Sequence, residues 1–178
     1  EKYPHELSGG MKQRSVIAMA LACNPKLLIA DEPTSSIDVS IQARILDLLN
    51  DLKEEYGLSI LYITHDLGVV AQVCDRAAIM YGGGLVEIAD VKELFKNPLH
   101  PYTKLLLEAV PSPEKEELRS IKGSVPNLIT PPEGCRFHPR CPYAKEKCSE
   151  EVPSLVEVKE GHLVSCHYWE EIKNENTS

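Results

Sequence analysis

Two stretches near the start of the chain carry groups suited to phosphate chemistry. Leu27-Leu28-Ile29-Ala30 is an apolar run that ends in adjacent carboxylates, Asp31 and Glu32, before Pro33. A carboxylate there can hold Mg²⁺, usually through water, while the ion bridges phosphate oxygens. Upstream, Ser8-Gly9-Gly10 precedes Met11-Lys12-Gln13-Arg14 and then apolar Val16, Ile17, Met19, Ala20 and Leu21. Ser8 can cap the helix these residues form, and bare N–H groups at a helix start suit a phosphate. His65 and Asp66 follow a second apolar run, Ile60 to Thr64. Each feature also has a plain reading: a polar turn, a capped helix with a glycine-rich turn, a surface histidine.

A second set of chemistry-bearing residues lies near the end. Cys135, Cys141, Cys148 and Cys166 are spaced Cys-x5-Cys-x6-Cys-x17-Cys, whereas Cys23 and Cys74 stand alone in apolar surroundings. This spacing is neither the paired Cys-x2-Cys of zinc ribbons nor a ferredoxin run. Thiolates suit iron–sulfur clusters and zinc alike, with disulfides or free thiols as the other readings. In a chain without an export signal, clustered cysteines favour metal over disulfides. Arg136, Arg140, His138 and His167 stand beside the cysteines, and cations there favour thiolates. A proline-rich module of about forty residues has too little core to hold itself without such a staple.

The elements that position these residues follow from periodicity. The spacing predicts a helix over about Gly9–Ala22, stopped at Asn24-Pro25, then a buried parallel strand from Lys26 to Ala30. Asp38 is expected to cap a long helix with Ile41, Ile45, Leu48, Leu49 and Leu52 on one face, ending near Tyr56-Gly57. Leu58–Ile63 reads as a strand and Leu67–Val73 as a short helix. Ala77–Met80 and Leu85–Ile88 read as a hairpin through Gly82-Gly83-Gly84, and Asp90 and Glu93 have capping-box spacing for a helix through Phe95. This alternation predicts an α/β unit with ligand groups at the strands' carboxyl ends.

Beyond Asn97 the composition shifts. Ten of the 13 prolines lie between Pro98 and Pro153, which disfavours long helices and central strands. One helix is expected at Tyr102–Val110, a linker at Pro111–Glu133, and a polar, frayed end after Trp169. The expected divisions are 1–97, 98–133, a four-cysteine metal module at 134–170 and a flexible tail at 171–178.

With 178 residues, 43% hydrophobic and 26% charged, the chain can bury a core. A net charge of -8 argues against nucleic acid as a partner. No run of about eighteen apolar residues occurs, so no direct membrane insertion is expected, and there is no secretory start. The opening Glu1-Lys2-Tyr3, without an initiator methionine, reads as the start of a fragment.

Leu7–Arg14 resembles the signature of ABC-transporter ATP-binding subunits, and Leu27–Pro33 resembles their Walker B motif. The resemblance implies the C-terminal part of an ABC-type P-loop ATPase domain. It implies that Ser8, Gly9, Gly10 and Gln13 meet the γ-phosphate of ATP held by a second ATP-binding subunit. Asp31 would hold Mg²⁺, Glu32 would be the general base, and His65 the switch histidine touching the γ-phosphate and the catalytic glutamate. Ser35-Ser36-Ile37-Asp38 resembles the D-loop; Ser36 and Ile37 depart from the family's usual alanine and leucine, while Asp38 matches. No Gly-x-x-x-x-Gly-Lys-Ser/Thr occurs. The phosphate loop, the adenine-stacking aromatic and the glutamine loop are therefore expected upstream, and the fragment alone is expected to be inactive.

Asn97-Pro98-Leu99-His100-Pro101-Tyr102-Thr103 and the cysteine-bearing tail resemble the C-terminal extension of oligopeptide and dipeptide importer ATPases. Gly134–Pro142 resembles the part of that tail which, in dipeptide members, is associated with a [4Fe–4S] cluster; Zn²⁺ is the alternative. The implied partners are a second ATP-binding subunit and transmembrane permease subunits, at the cytoplasmic side of the membrane. Two rivals are an ABC-type ATPase of DNA repair or chromosome structure, and a metal-binding redox sensor without ATPase activity.

Overall fold

A computed structural model describes residues 3–35, 37–110 and 121–175. The chain divides into two compact units, Glu1–Val73 and Cys74–Ser178. Ser36, most of the first half of the expected linker and the last three residues of the expected tail lie outside the described residues. Among the described residues no helix is long and apolar enough to cross a membrane.

In the first unit, α1 (Gly9–Leu21) starts where expected. Ser8 is its N-cap, with Oγ accepting from the Met11 N–H at 3.4 Å. Gly10 is buried, and a Cβ there would stand 2.9 Å from Ile41 Cγ2, because α1 lies close on α2 (Val39–Tyr56). Helix α2 buries Ile45, Leu46 and Leu49 along one stripe and ends at Gly57, whose φ of 61° is the left-handed conformation that glycine adopts freely. Asp38 occupies the N-cap position, but its side chain makes no capping bond, contrary to expectation. Its carbonyl instead accepts from the Ile41 and Gln42 N–H groups.

Strands β1 (Leu27–Asp31) and β2 (Ser59–Ile63) pair in parallel, from Leu27 opposite Ser59 to Asp31 opposite Ile63. Ile17, Leu28, Ile45, Leu49 and Leu58 form the core beneath one face, each such side chain contributing about 1.5–3 kcal/mol. The expected fully buried strand is half-buried. Leu28 and Ala30 point inward, while Leu27, Ile29, Leu61 and Ile63 stand about half exposed on the other face. Among the described residues the apolar cluster packs on one face of this pair, whereas parallel sheets are ordinarily covered on both. Helix α3 (Leu67–Val73) closes the unit.

The second unit is built on an antiparallel sheet of order β3-β4-β6-β5. Strands β3 (Arg76–Tyr81) and β4 (Gly84–Asp90) form the expected hairpin. Gly82 and Gly83 both have positive φ, 57° and 80°, as a two-residue turn matching the strands' twist requires. Then come α4 (Val91–Lys96), α5 (Pro101–Glu108) and α6 (Glu146–Glu150). Among the described residues the proline-rich region holds short helices, and Pro101 sits at the first position of α5, where a missing N–H costs nothing.

Strands β5 (Val156–Lys159) and β6 (His162–Val164) are not foreseen by the sequence reading. They turn at Gly161, φ 72°, and β6 pairs with β4 through Glu87–Val164 and Ile88–Leu163. The stretch between Cys148 and Cys166 thereby joins one sheet with the β3–β4 hairpin. Within the expected frayed end, the described residues form α7 (Trp169–Glu175), and Ile172 is fully buried.

Candidate functional sites in the two units

Parallel pairing sets the carboxyl ends of β1 and β2 side by side. The Glu32 N–H donates to the Ile63 carbonyl at 2.8 Å, one step beyond the ladder. The chain then turns sharply, with Glu32 at φ 47°. A non-glycine residue in this region carries about 1–3 kcal/mol of strain, of the kind that clusters at functional sites. Ser35 holds the turn from below, its N–H and hydroxyl both donating to the Glu32 carbonyl, at 3.1 and 3.0 Å.

Two residues past β2, His65 Nδ1 lies 2.7 Å from Glu32 Oε1. The histidine side chain is 83% exposed and the glutamate 37%, so the pair is open to a ligand. The hydrogen bond to Glu32 and then its charge hold the His65 pKa above the ordinary histidine value, with a smaller contribution from Asp66. Asp66 is the residue the sequence reading left without a role. Its Oδ1 accepts from the Gly68 and Val69 N–H groups, its own N–H donates to Thr64 Oγ1, and Gln42 Nε2 reaches Oδ2 at 3.4 Å. An aspartate two residues before a glycine in a short helix is an Asx-turn signal.

Asp31 is exposed at the end of β1, and Asp38 is exposed ahead of α2. Ser8, Gly9, Gly10 and Gln13 sit at and just inside the start of α1. At Gly9 a Cβ would meet nothing within 4 Å, so the backbone is open there. Among the described residues, no hydrogen bond or ion pair joins these helix-start groups or Asp38 to the Glu32–His65 pair.

In the second unit, Cys135, Cys141, Cys148 and Cys166 line one pocket and are all free thiols. The Cys135 N–H donates to the Cys148 carbonyl at 2.8 Å. This approach depends on Gly134: its φ is 66°, and a Cβ would stand 2.5 Å from that same carbonyl oxygen. A 3-10 turn at His138–Arg140 carries the chain from Cys135 to Cys141. Burial pushes the Cys141 thiol up to about 12 and the Cys166 thiol up to about 11, and raises Cys135 as well, with neighbouring thiolate charge adding to each.

The expected help from cations is not found. Arg136 donates to the Gly82 carbonyl, and Arg140 to the Ile121 and Lys122 carbonyls and the Tyr81 hydroxyl. These guanidinium groups tie loops to the hairpin instead of compensating thiolates. Four soft donors around one pocket suit a thiolate-ligated group. Among the described residues no three His, Cys, Asp or Glu side chains gather as ligands of a single ion.

Beside this pocket lies Glu87, which the sequence reading missed. Glu87 is fully buried on β4. Its Oε1 accepts from the Leu99 N–H at 2.7 Å, its Oε2 from the His100 N–H at 2.9 Å, and His162 Nε2 lies 2.8 Å from Oε1. His162 Nδ1 is 3.8 Å from Glu93, which pairs with Lys159 at 3.1 Å. His100 lines the cysteine pocket, and burial pushes its pKa down to about 4, against the opposing charge of Glu87. The available signal was a charged residue inside the apolar run Leu85–Ala89.

Residues 86–148 match the family described as oligopeptide/dipeptide transporter, C-terminal region, and residues 1–35 match the ABC transporter family. The oligopeptide transport ATP-binding protein AppD of Bacillus subtilis is 55% identical over 173 residues, covering 96% of this chain and 53% of that protein. The oligopeptide transport ATP-binding protein OppD of Salmonella typhimurium is 52% identical over 166 residues, covering 92% and 49%. The chain thus spans about half the length of the curated relatives it matches. Among solved structures, an inward-facing metal-chelate type ABC transporter aligns with TM-score 0.53 and 26% identity over 60% of this chain and 41% of that one. CbiO1 of Clostridium perfringens, part of an ABC transporter complex, aligns with TM-score 0.50 and 38% identity over 53% and 38%.

Proposed function

We propose, given that the chain belongs to the ABC-transporter ATP-binding family of the oligopeptide and dipeptide type, that the whole protein is the ATP-hydrolysing subunit of a peptide importer. It works as one of two ATP-binding subunits on the cytoplasmic face of the membrane, docked on permease subunits. The observation that carries this reading is the 2.7 Å contact between Glu32 and His65 at adjacent strand ends. The relatives' names favour peptide transport over DNA repair or chromosome structure, and over a redox sensor without ATPase activity.

In this reading Glu32 accepts the proton of the water that attacks the γ-phosphate, yielding ADP and phosphate. His65 orients the Glu32 carboxylate and meets the γ-phosphate. Asp31 would hold Mg²⁺, which neutralises charge on the phosphate oxygens. Ser8, Gly9, Gly10 and Gln13 present a helix start to the nucleotide of the other subunit, and Asp38 stands in the D-loop between the two sites. The open Glu32–His65 pair, the strained turn and the clear space at Gly9 support these roles. The test uses the full-length protein: Glu32→Gln retains ATP binding, loses hydrolysis by about 100-fold or more, and accumulates a closed dimer. Undiminished steady-state hydrolysis would end the assignment.

The four cysteines are assigned to a [4Fe–4S] cluster held as thiolates, with Zn²⁺ as the alternative. Support comes from four thiols lining one pocket and from the glycine that lets the Cys135 and Cys148 backbones approach. Such a group, when bound, supplies a structural staple and a one-electron redox centre. Protein purified without oxygen is expected to hold four iron and four sulfide per chain by the cluster's formula. One zinc and no colour would replace it with a purely structural site.

A further inference from the structure

The Asp66 carboxylate bonds in two directions. Its Oδ1 accepts from the Gly68 N–H at 2.8 Å and the Val69 N–H at 3.4 Å, and so caps α3. Glycine at 68 permits this approach, since a Cβ there would stand 3.0 Å from the same oxygen. Capping leaves the second oxygen spare. Oδ2 takes the Gln42 Nε2 at 3.4 Å, from a different element 24 residues away. Gln42 lies in the first turn of α2, and its backbone N–H donates to the Asp38 carbonyl at 2.8 Å.

His65 stands inside this arrangement. The Asp66 N–H donates to Thr64 Oγ1 at 3.0 Å, so the residues on either side of the histidine are joined to each other. The imidazole is 83% exposed and meets Glu32 Oε1 at 2.7 Å. Little packing fixes so exposed a ring, and its place depends on the backbone of residues 64–66. A misplacement of about 1 Å at a reacting centre costs about 100-fold in rate. We propose that Gln42 is a positioning residue for hydrolysis: through Asp66 it anchors the His65 loop to α2 and so keeps the histidine on Glu32. The inference rests on the ATPase reading above. It also gives the Asp38 turn and the His65 loop one common support, since Gln42 bonds to the first with its backbone and to the second with its side chain.

The test measures turnover by the full-length protein against ATP concentration, with thermal melting to check the fold. Gln42→Glu sets a carboxylate against that of Asp66 and should lower kcat about tenfold with KM unchanged. Adding Asp66→Asn exchanges donor and acceptor: the amide then lies at position 66 and the carboxylate at 42, while the asparagine oxygen still caps α3. The double variant should recover most of the lost kcat, which a merely structural role for either residue would not produce. A double variant no faster than Gln42→Glu, or wild-type kcat in Gln42→Glu, overturns the proposal. So does a raised KM with kcat intact, which would place Gln42 in nucleotide binding. Should Gln42→Glu fail to fold, Gln42→Leu removes the donor without adding charge, and wild-type kcat there overturns the proposal. Glu32→Gln is the control for the reading beneath. Undiminished hydrolysis in that variant ends the ATPase assignment, whereas its loss beside full turnover in Gln42→Glu overturns the role of Gln42 alone.

Discussion

Glu87 Oε1 and His162 Nε2 lie 2.8 Å apart, with both side chains almost wholly enclosed, and the same glutamate accepts the N–H groups of Leu99 and His100. One carboxylate therefore joins β4, the start of α5 and β6. Glu87→Ala leaves two buried N–H groups and a histidine nitrogen without their acceptor. The expected loss is about 3–5 kcal/mol, read by urea unfolding. Glu87→Gln keeps one acceptor oxygen and should lose less, about 1–2 kcal/mol. A loss below about 1 kcal/mol in the alanine variant would mean that the network does not hold the unit together.

The exposed pair in the first unit gives a pH prediction with a definite sign. Glu32 raises the His65 pKa above its ordinary value. The contact is therefore fully present below the ordinary histidine pKa and is lost as the pH rises through the raised one. An NMR titration should place the His65 ring above the ordinary histidine value, and Glu32→Gln should bring it down. Coincident titration of His65 in both proteins would mean that the two side chains do not meet in solution.

How far the fold was legible depends on the reach of each signal. The hairpin was readable because Gly82-Gly83 is a local turn code and the flanking residues alternate. Helix α2 was readable because its apolar stripe runs for eighteen residues to a glycine stop. Strands β5 and β6 were not: four and three residues long, they carry no periodicity of their own and become strands because β6 pairs with β4 and β5 with β6. Ile172 gave no sign of burial because its neighbours Glu170, Glu171, Lys173 and Asn174 are polar. The carboxylates and His65 were recognisable as a motif, but the 2.7 Å contact depends on parallel pairing between segments thirty residues apart. The Arg136 and Arg140 partners are also non-local, and proximity in sequence misassigned both to the cysteines.

Gly134 and Gly161 separate two reasons for a glycine. Both have positive φ, 66° and 72°, but a Cβ at Gly161 would meet open space, while one at Gly134 would stand 2.5 Å from the Cys148 carbonyl oxygen. Gly161→Ala should cost about 1–2 kcal/mol, the left-handed penalty alone. Gly134→Ala adds a clash with backbone that has no rotamer to yield. It should cost more than about 3 kcal/mol. Equal unfolding midpoints for the two variants would contradict the close approach of Cys135 to Cys148.

The adjacent glycines of α1 allow packing and ligand roles to be told apart. At Gly9 there is room for a methyl group, and alanine is the better helix former, so Gly9→Ala should leave stability unchanged or raise it by up to about 1 kcal/mol. If a phosphate from the other subunit approaches this bare backbone, the same variant should lower ATP hydrolysis in the full-length protein. Gly10→Ala gains the same propensity but drives its Cβ to 2.9 Å from Ile41 Cγ2. A β-branched side chain within a helix has little rotamer freedom with which to yield. Overpacking, about 1–3 kcal/mol, should therefore win by about 1 kcal/mol, and Ile41→Ala in the same chain should cost less than the two single changes added together. Full activity in Gly9→Ala would remove the open backbone from the proposed site, while additive losses in the Gly10/Ile41 pair would mean that α1 and α2 do not meet there.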